Sequence, residues 1–201
     1  MVLITLVLLP ALAHALPEPQ HHGPGGCAEG WVDALTLGMG CLYLLQEPLT
    51  WEDAGKRCKS MGGAHLVEID NADQLAFLQQ GLNFAEGTHW TDAHYWWTAA
   101  TDLTMEGDWV WSNSDLAVDS SLWATGDPDN CAYDWMAGCV ADENCGALRN
   151  TAINGDGGVT GWDGADYKMM DLQCDIDTVL GHHMPSFTIY SVCQIKQFTD
   201  L

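Results

Sequence analysis

The segments Glu143-Asn144-Cys145 and Lys168-Met169-Met170-Asp171-Leu172-Gln173-Cys174 decide the fold of this chain, and Asp127-Pro128-Asp129 precedes both of them. In each segment, carboxylates lie beside cysteines or a proline. Calcium takes about six to eight oxygen ligands in proteins. Acidic side chains brought together from separate loops and held by a disulfide therefore predict a calcium-dependent binding surface.

The N-terminal segment predicts secretion. Residues 1–12 are almost wholly apolar but too short to span a bilayer, and Ala13-His14-Ala15 matches the small-x-small pattern of a signal peptidase site. We expect residues 1–15 to be a signal peptide and the mature chain to start at Leu16. No later segment has the roughly 18 uninterrupted apolar residues of a membrane helix. The sequence thus predicts a secreted, extracellular protein without a membrane span.

The charge balance limits the partners. The chain has 28 acidic and 6 basic residues and a formal net charge of -22. Nucleic acid and anionic lipid are therefore excluded as expected partners, because both carry negative charge themselves. Such a surface attracts divalent cations and cationic surfaces, although solubility alone also explains it.

The cysteines and the length predict one disulfide-braced domain. The eight cysteines are an even number, which in a secreted chain indicates a full set of bridges. A zinc site is disfavoured, since no Cys-x-x-Cys pair occurs. The length of the mature chain is typical of a single domain.

Two helices have clear start signals. Thr50, with Asp53 three residues later, predicts the first helix, which ends at Gly62-Gly63. Asn71, with Gln74, predicts a second helix that ends near Gly81.

Strands are predicted where aromatic and branched residues cluster. They cover Cys41–Leu45, His65–Ile69, Tyr95–Thr98, Asp108–Trp111 and Phe187–Cys193. Trp96, Trp109 and Trp111 lie in these patterns and are predicted to be core residues. The segment 112–166 is rich in Gly, Asp and Asn, and a loop region of that length indicates function.

These motifs together resemble the C-type lectin-like domain family, in its longer form with an N-terminal hairpin. The resemblance covers Cys27 to Lys196 and predicts a flexible lead at 16–26, a domain at 27–197 and a tail at 198–201. It implies an α+β fold with two helices flanking small antiparallel sheets and a long loop region. The motifs occur in the order of the family: CAEGW, TWEDAGKRC, HLVEI, YWWTAATDL, EGDWVW, the proline tripeptide, ENC, KMMDLQC and SVCQI.

The resemblance also implies the disulfide pairing. The expected bridges are Cys27 to Cys41, Cys58 to Cys193, Cys145 to Cys174 and Cys131 to Cys139.

A calcium ion that also binds two adjacent sugar hydroxyls is the implied cofactor. The resemblance places its ligands at Asp127, Asp129, Glu143 and Asp171, with the bond before Pro128 in the cis form. Met170 stands where the family has an asparagine, and a thioether is a poor calcium ligand. Water or the loop residues Asn154, Asp156 and Asp163 are the expected replacements.

The implied sugar site lacks its usual amide donors, because Asp129 and Met170 occupy their positions. We expect weak monosaccharide binding, with Asn130 as a substitute donor. Tryptophans near the site could stack on a sugar ring or belong to the core; they are Trp123, Trp135 and Trp162. The predicted ligand-binding residues are Asp127, Asp129, Asn130, Glu143, Asp171 and Trp123.

Two other functions are weighed against the lectin hypothesis. The acidic cluster could bind no calcium, and the domain would then contact a protein, a mineral or a cationic surface. Enzyme activity is disfavoured, because no nucleophile elbow or metalloprotease helix is present and His182-His183 has no companion motif. The expected partner is thus a glycan or another extracellular ligand, and the sequence does not indicate an oligomeric state.

Overall fold

In the computed structural model, the described part of the chain comprises residues 26–84, 93–131, 133–134, 138–139, 142–149, 168–175 and 188–196. At 83–84, 93–94, 133–134, 138–139 and 188 only the backbone is described. The predicted signal peptide, most of the predicted lead, the predicted tail and His182-His183 lie outside the described residues, so those expectations remain predictions.

The fold is built on a mixed sheet in the order β1-β2-β10-β4-β8-β9, with β3 paired to β10 and β5 paired to β4. A separate hairpin is formed by β6 and β7. The strands are β1 (Val32–Ala34), β2 (Gly40–Leu45), β3 (His65–Leu66), β4 (Ala93–Thr101), β5 (Val110–Trp111), β6 (Tyr133–Asp134), β7 (Gly138–Cys139), β8 (Cys145–Arg149), β9 (Met169–Leu172) and β10 (Thr188–Ile195).

The main sheet is not purely antiparallel as expected, because β4 and β10 run parallel at its centre. Parallel neighbours require a long crossover between them. Here the crossover is the whole segment between Thr101 and Thr188, which contains the loop region and strands β5 to β9. This connection carries the predicted site residues past the edge of the sheet formed by β8 and β9.

The first helix, α1 (Trp51–Lys59), begins as predicted. The Thr50 hydroxyl accepts a hydrogen bond from the Asp53 backbone N–H at 3.2 Å, which satisfies one of the free donors of the first turn. Cys58 faces the core and bonds to Cys193 of β10. The helix is thereby fixed to the centre of the sheet.

The second helix, α2 (Ala72–Phe84), begins at the predicted cap but continues past Gly81. The Asn71 side chain accepts from the Gln74 backbone N–H at 3.1 Å. A glycine inside a helix costs about 1 kcal/mol relative to alanine. Leu82 follows it on the face that buries Leu75 and Leu78, and burial of that side chain offsets the cost. Neither helix of the described residues is long and apolar enough to cross a membrane.

Strand β3 is shorter than predicted, because the chain leaves the ladder after Leu66. The Val67 N–H donates to Val192 O at 2.9 Å, and Val67 O accepts from the Ala99 N–H at 2.8 Å. Val67 is therefore shared between β10 and β4 rather than paired with either. Val67 and Ile69 are still fully buried, so the apolar pattern predicted burial correctly and strand length incorrectly.

The predicted core tryptophans and three of the four predicted bridges are confirmed. Trp96, Trp109 and Trp111 are buried. The disulfides Cys27–Cys41, Cys58–Cys193 and Cys145–Cys174 form as expected. Cys131 is also disulfide-bonded. Its pairing with Cys139 remains a prediction, because the Cys139 side chain lies outside the described atoms.

Gly40→Ala tests how closely β2 approaches β10. Gly40 has φ 75°, and a Cβ there would collide with the backbone of Ile195. We expect a loss of at least about 2 kcal/mol in the free energy of unfolding, from the strained backbone and the forced movement of β10. Urea unfolding measures it.

The matched control is Gly38→Ala, since Gly38 has φ 73° with nothing within 4 Å of the added carbon. It should lose only the backbone component, about 1 kcal/mol. Equal losses in the two variants would contradict the close approach.

Candidate functional site

Strand β9 positions the proline tripeptide. The Ala124 N–H donates to Met169 O at 2.8 Å, and the Asp127 N–H donates to Ala124 O at 3.1 Å. These bonds turn the chain at residues 124–127 back over β9. The Asp127–Pro128 peptide is cis, as predicted. The tripeptide therefore lies beside Asp171, although the two are far apart in sequence.

Three of the four predicted metal ligands converge. Asp127, Asp129 and Asp171 each offer an oxygen, and those oxygens all lie within 4.8 Å of one another. Asp171 is fully buried, Asp127 is half-buried and Asp129 is exposed. The cluster thus has a buried floor and an open side, which is the arrangement that an ion shared with an external ligand requires.

Two buried oxygens of this cluster are without hydrogen-bond partners. Asp171 Oδ2 accepts from the N–H groups of Asp129 at 2.9 Å and Asn130 at 2.6 Å. Within the described part of the chain, Asp171 Oδ1 and Asp127 Oδ2 have no donor. A buried acceptor without a partner costs about 1 to 3 kcal/mol. Hard carboxylate oxygens from three residues that lie this close together fit a divalent cation such as calcium.

Glu143, the fourth predicted ligand, lies alongside the group of three rather than within it. It is 9% exposed. Its backbone N–H donates to Asn130 Oδ1 at 2.7 Å, and the residue after Asn130, Cys131, donates its own N–H to Asp129 Oδ1 at 3.1 Å. The Glu143 backbone is therefore bonded to the residue that follows the tripeptide, which places Glu143 next to the cluster.

The acids raise one another's pKa. Burial, and then the charges of Asp171 and Asp129, raise the pKa of Asp127 to about 7 despite the opposing charge of Arg149. Burial and the same two neighbours, followed by Asp127, raise the pKa of Glu143 to about 8. Burial also raises the pKa of Asp171. A bound cation would relieve this repulsion, because it reverses the sign of the local field.

Met170 contributes packing and no oxygen ligand from its side chain. The Met170 side chain is partly buried against the core, and the Met170 backbone lies opposite Ala147 in the antiparallel pair of β9 and β8. A thioether is a poor ligand for calcium. The proposed replacements Asn154, Asp156 and Asp163 lie outside the described residues.

The structure departs from expectation at Trp123, and it gives Asn130 contacts that were not expected. Trp123 is only 5% exposed and packs edge-on against Trp109, with ring centroids 4.6 Å apart, so its face is not open to a sugar. Asn130 uses its side-chain oxygen to accept the Glu143 N–H, and its backbone N–H serves Asp171. Both residues support the site from within. Trp135 and Trp162 lie outside the described side chains.

Sequence reasoning missed an extension of the acidic cluster between β4 and β5. Asp102 is buried, with one oxygen accepting from the Gly107 N–H at 2.8 Å and the other without a donor among the described residues. The pKa of Glu106 is raised by burial and then by Asp102, Asp142 and Asp171. The signal in the sequence is the pair Asp102 and Glu106, four residues apart in the segment TDLTMEGDW. The family resemblance used this segment only as a mark of the fold.

The comparison with known families agrees with this geometry. Residues 47–152, about half of the chain, match the Lectin C-type domain. The chain belongs to the C-type lectin domain family.

Relatives of this C-type lectin domain include two curated proteins. The chain is 27% identical over 154 residues to a perlucin-like protein of Mytilus galloprovincialis, covering 77% of this chain and 80% of the relative. It is 30% identical over 129 residues to lithostathine-2 of Mus musculus, covering 60% of this chain and 70% of the relative.

Solved structures agree in fold. The human scavenger receptor C-type lectin carbohydrate-recognition domain superposes with a TM-score of 0.58 at 20% identity, covering 86% of this chain and 100% of that one. At this identity the likeness supports the fold alone.

The acidic cluster predicts an unusual pH dependence. Asp127 and Glu143 have folded-state pKa values of about 7 and about 8, above the usual 3.8 and 4.5 that they regain on unfolding. Between the unfolded and the folded pKa values, the folded protein therefore binds more protons than the unfolded chain. The stability that these protons contribute is fully present below the unfolded pKa values and is lost as the pH rises through the folded pKa values. With divalent ions chelated, the melting temperature should fall from about pH 5 to about pH 9.

Asp171→Asn is the comparison for this pH profile, because the Asp171 charge raises both pKa values. We expect a smaller fall in melting temperature for the variant across the same range. A flat profile for the unmodified protein in chelator would contradict the electrostatic picture.

Proposed function

We propose that this C-type lectin domain binds a calcium ion through Asp127, Asp129, Glu143 and Asp171 and uses the ion to bind adjacent hydroxyl groups of an extracellular glycan. The observation that carries the proposal is the convergence of carboxylate oxygens of three aspartates within 4.8 Å of one another. Two of these aspartates, Asp127 and Asp171, each have a buried oxygen without a donor among the described residues. An extracellular location is part of the proposal and is supported by the disulfides.

Charge rather than a complete coordination shell would hold the ion. Four carboxylates supply fewer oxygens than calcium usually takes unless some bind through both atoms, and the Met170 side chain adds none. The remaining positions are then filled by main-chain oxygens, water or ligand hydroxyls. Positions filled by water are the ones that a glycan can take over.

The same residues limit the affinity for a sugar. Ionised carboxylates only accept hydrogen bonds. Asp127 and Asp129 can therefore accept hydrogen bonds from two sugar hydroxyls but cannot donate a hydrogen bond to either. Each missing donor removes about 0.5 to 1.5 kcal/mol per hydroxyl. We therefore propose binding that favours adjacent hydroxyls and is weak for a single monosaccharide. Members of this family are generally binding proteins, and we propose no catalytic activity.

A second candidate is calcium-independent binding to a cationic protein or mineral surface. It is favoured by the formal charge of -22 and by the use of bases in internal ion pairs. Lys56 pairs with Glu52 at 2.8 Å, Arg57 with Glu47 at 2.9 Å and Lys196 with Glu68 at 3.2 Å. Chelation separates the two candidates, because only the first requires the ion.

Calorimetric titration with calcium tests the proposal directly. We expect a saturable heat for the unmodified protein and an affinity at least about tenfold lower for Asp127→Asn, equivalent to about 1.4 kcal/mol. Asp73→Asn on α2 is the matched control, since it removes an equal charge at an exposed site. Retention on mannose and galactose resins should then be lost in chelator. No heat and no retention would remove the lectin proposal, and retention that persists in chelator would favour the second candidate.

Met170→Asn tests the missing ligand by restoring it. An amide oxygen at this position should raise the calcium affinity by about tenfold, and its N–H₂ group should strengthen retention on the resins. Met170→Leu is the control, because it replaces the sulfur with a side chain of similar volume and adds no oxygen. Equal calcium affinities of the two variants would show that position 170 does not face the ion.

A further inference from the structure

Asn130 connects two of the proposed calcium ligands. Its backbone N–H donates to Asp171 Oδ2 at 2.6 Å, and its side-chain Oδ1 accepts from the Glu143 N–H at 2.7 Å. Asp171 lies on β9, whereas Glu143 lies on the approach to β8. Asn130 follows the Asp127-Pro128-Asp129 tripeptide, and we call these four residues the tripeptide loop. Through Asn130 this loop is bonded both to Asp171 and to the Glu143 backbone.

The backbone of Asn130 is suited to this position. Its φ is 51°, in the left-handed region that Asn adopts more readily than most residues. This conformation follows directly after Asp129, whose own N–H donates to the same Asp171 oxygen at 2.9 Å. Consecutive N–H groups therefore converge on Asp171, and the Asn130 side chain remains available for Glu143.

These contacts are arranged for positioning rather than for ligand binding. The Asn130 oxygen is within hydrogen-bond distance of a half-buried N–H group. The residue directly after the tripeptide loop, Cys131, donates its backbone N–H to Asp129 Oδ1 at 3.1 Å, so the same stretch of chain also positions a second proposed ligand. Residues outside the coordination shell that orient ligands commonly change metal affinity by about 10 to 100-fold.

We propose that Asn130 is a positioning residue of the calcium site, whose side-chain oxygen holds Glu143 beside Asp127, Asp129 and Asp171. The inference rests on the proposed function, because it assigns a role in binding the same ion. It adds to the expected donation of the Asn130 amide to a sugar hydroxyl, because Oδ1 accepts the Glu143 N–H while the separate N–H₂ group remains a donor. Because the bond is to the Glu143 backbone N–H, the Asn130 oxygen fixes the chain from which the Glu143 carboxylate extends.

Two substitutions at this position separate the side-chain acceptor from the backbone. Asn130→Gly keeps the positive φ and the N–H to Asp171 but removes Oδ1. Asn130→Asp keeps an acceptor oxygen. We expect the calcium affinity of the glycine variant to fall by about tenfold and that of the aspartate variant to be at least equal to the unmodified protein. Asn113→Gly, at an exposed loop residue, controls for the flexibility that glycine adds.

Amide hydrogen exchange supplies a readout that does not depend on calcium. In Asn130→Gly, measured in chelator, the Glu143 amide should exchange at least about tenfold faster, whereas the Asp129 amide, bonded to Asp171, should not change. Unchanged Glu143 exchange, or equal calcium affinities of the glycine variant and the unmodified protein, would overturn the inference while leaving the proposed function intact. No calcium heat from the unmodified protein would overturn both.

Discussion

The buried carboxylate of Asp171 is the group on which the candidate site depends. A charged group without water is stable only when hydrogen bonds or an opposite charge compensate it. Here the N–H groups of Asp129 and Asn130 supply the hydrogen bonds to one oxygen. Because those donors belong to the tripeptide loop, the same bonds that stabilise Asp171 also bring Asp127 and Asp129 to it. The other oxygen has no donor among the described residues, and the proposed ion would compensate it.

The scaffold keeps these acids together despite their repulsion. β9 is joined to β8 along four residue pairs, and the Cys145–Cys174 disulfide closes the ends of the two strands. The Trp51 backbone N–H donates to Cys174 O at 3.0 Å, which connects the start of α1 to the end of the β8–β9 pair. Folding energy from the core is thereby used to hold like charges close. Burial, together with this repulsion, raises the pKa values of Asp127 and Glu143.

Local and covalent features were predictable from the sequence, and features that depend on competition between contacts were not. The Thr50 cap, strand β2 and three disulfide pairings followed from short motifs and the family resemblance. The end of α2 did not, because the burial of Leu82 outweighs the helix-breaking tendency of Gly81. The role of Trp123 was not predictable either, because the sequence pattern around a tryptophan near a site is the same whether its ring face is exposed or packed against a neighbour. The register that shares Val67 between two strands was equally hidden.

The absence of an oxygen at the Met170 side chain changes which force would hold the proposed ion. Direct contacts between calcium and its ligands are about 2.5 Å long and depend little on salt. Attraction between an ion and separated carboxylates acts over several ångströms and is screened by dissolved salt. Asp102 and Glu106 extend the negative region beyond the proposed ligands, and the formal charge of -22 deepens it. This field raises the local concentration of divalent cations and offsets part of the lost coordination. Ion binding that relies on it should weaken with ionic strength more steeply than binding at a site with all its ligands, so the acidic surface and the substitution at position 170 are physically linked.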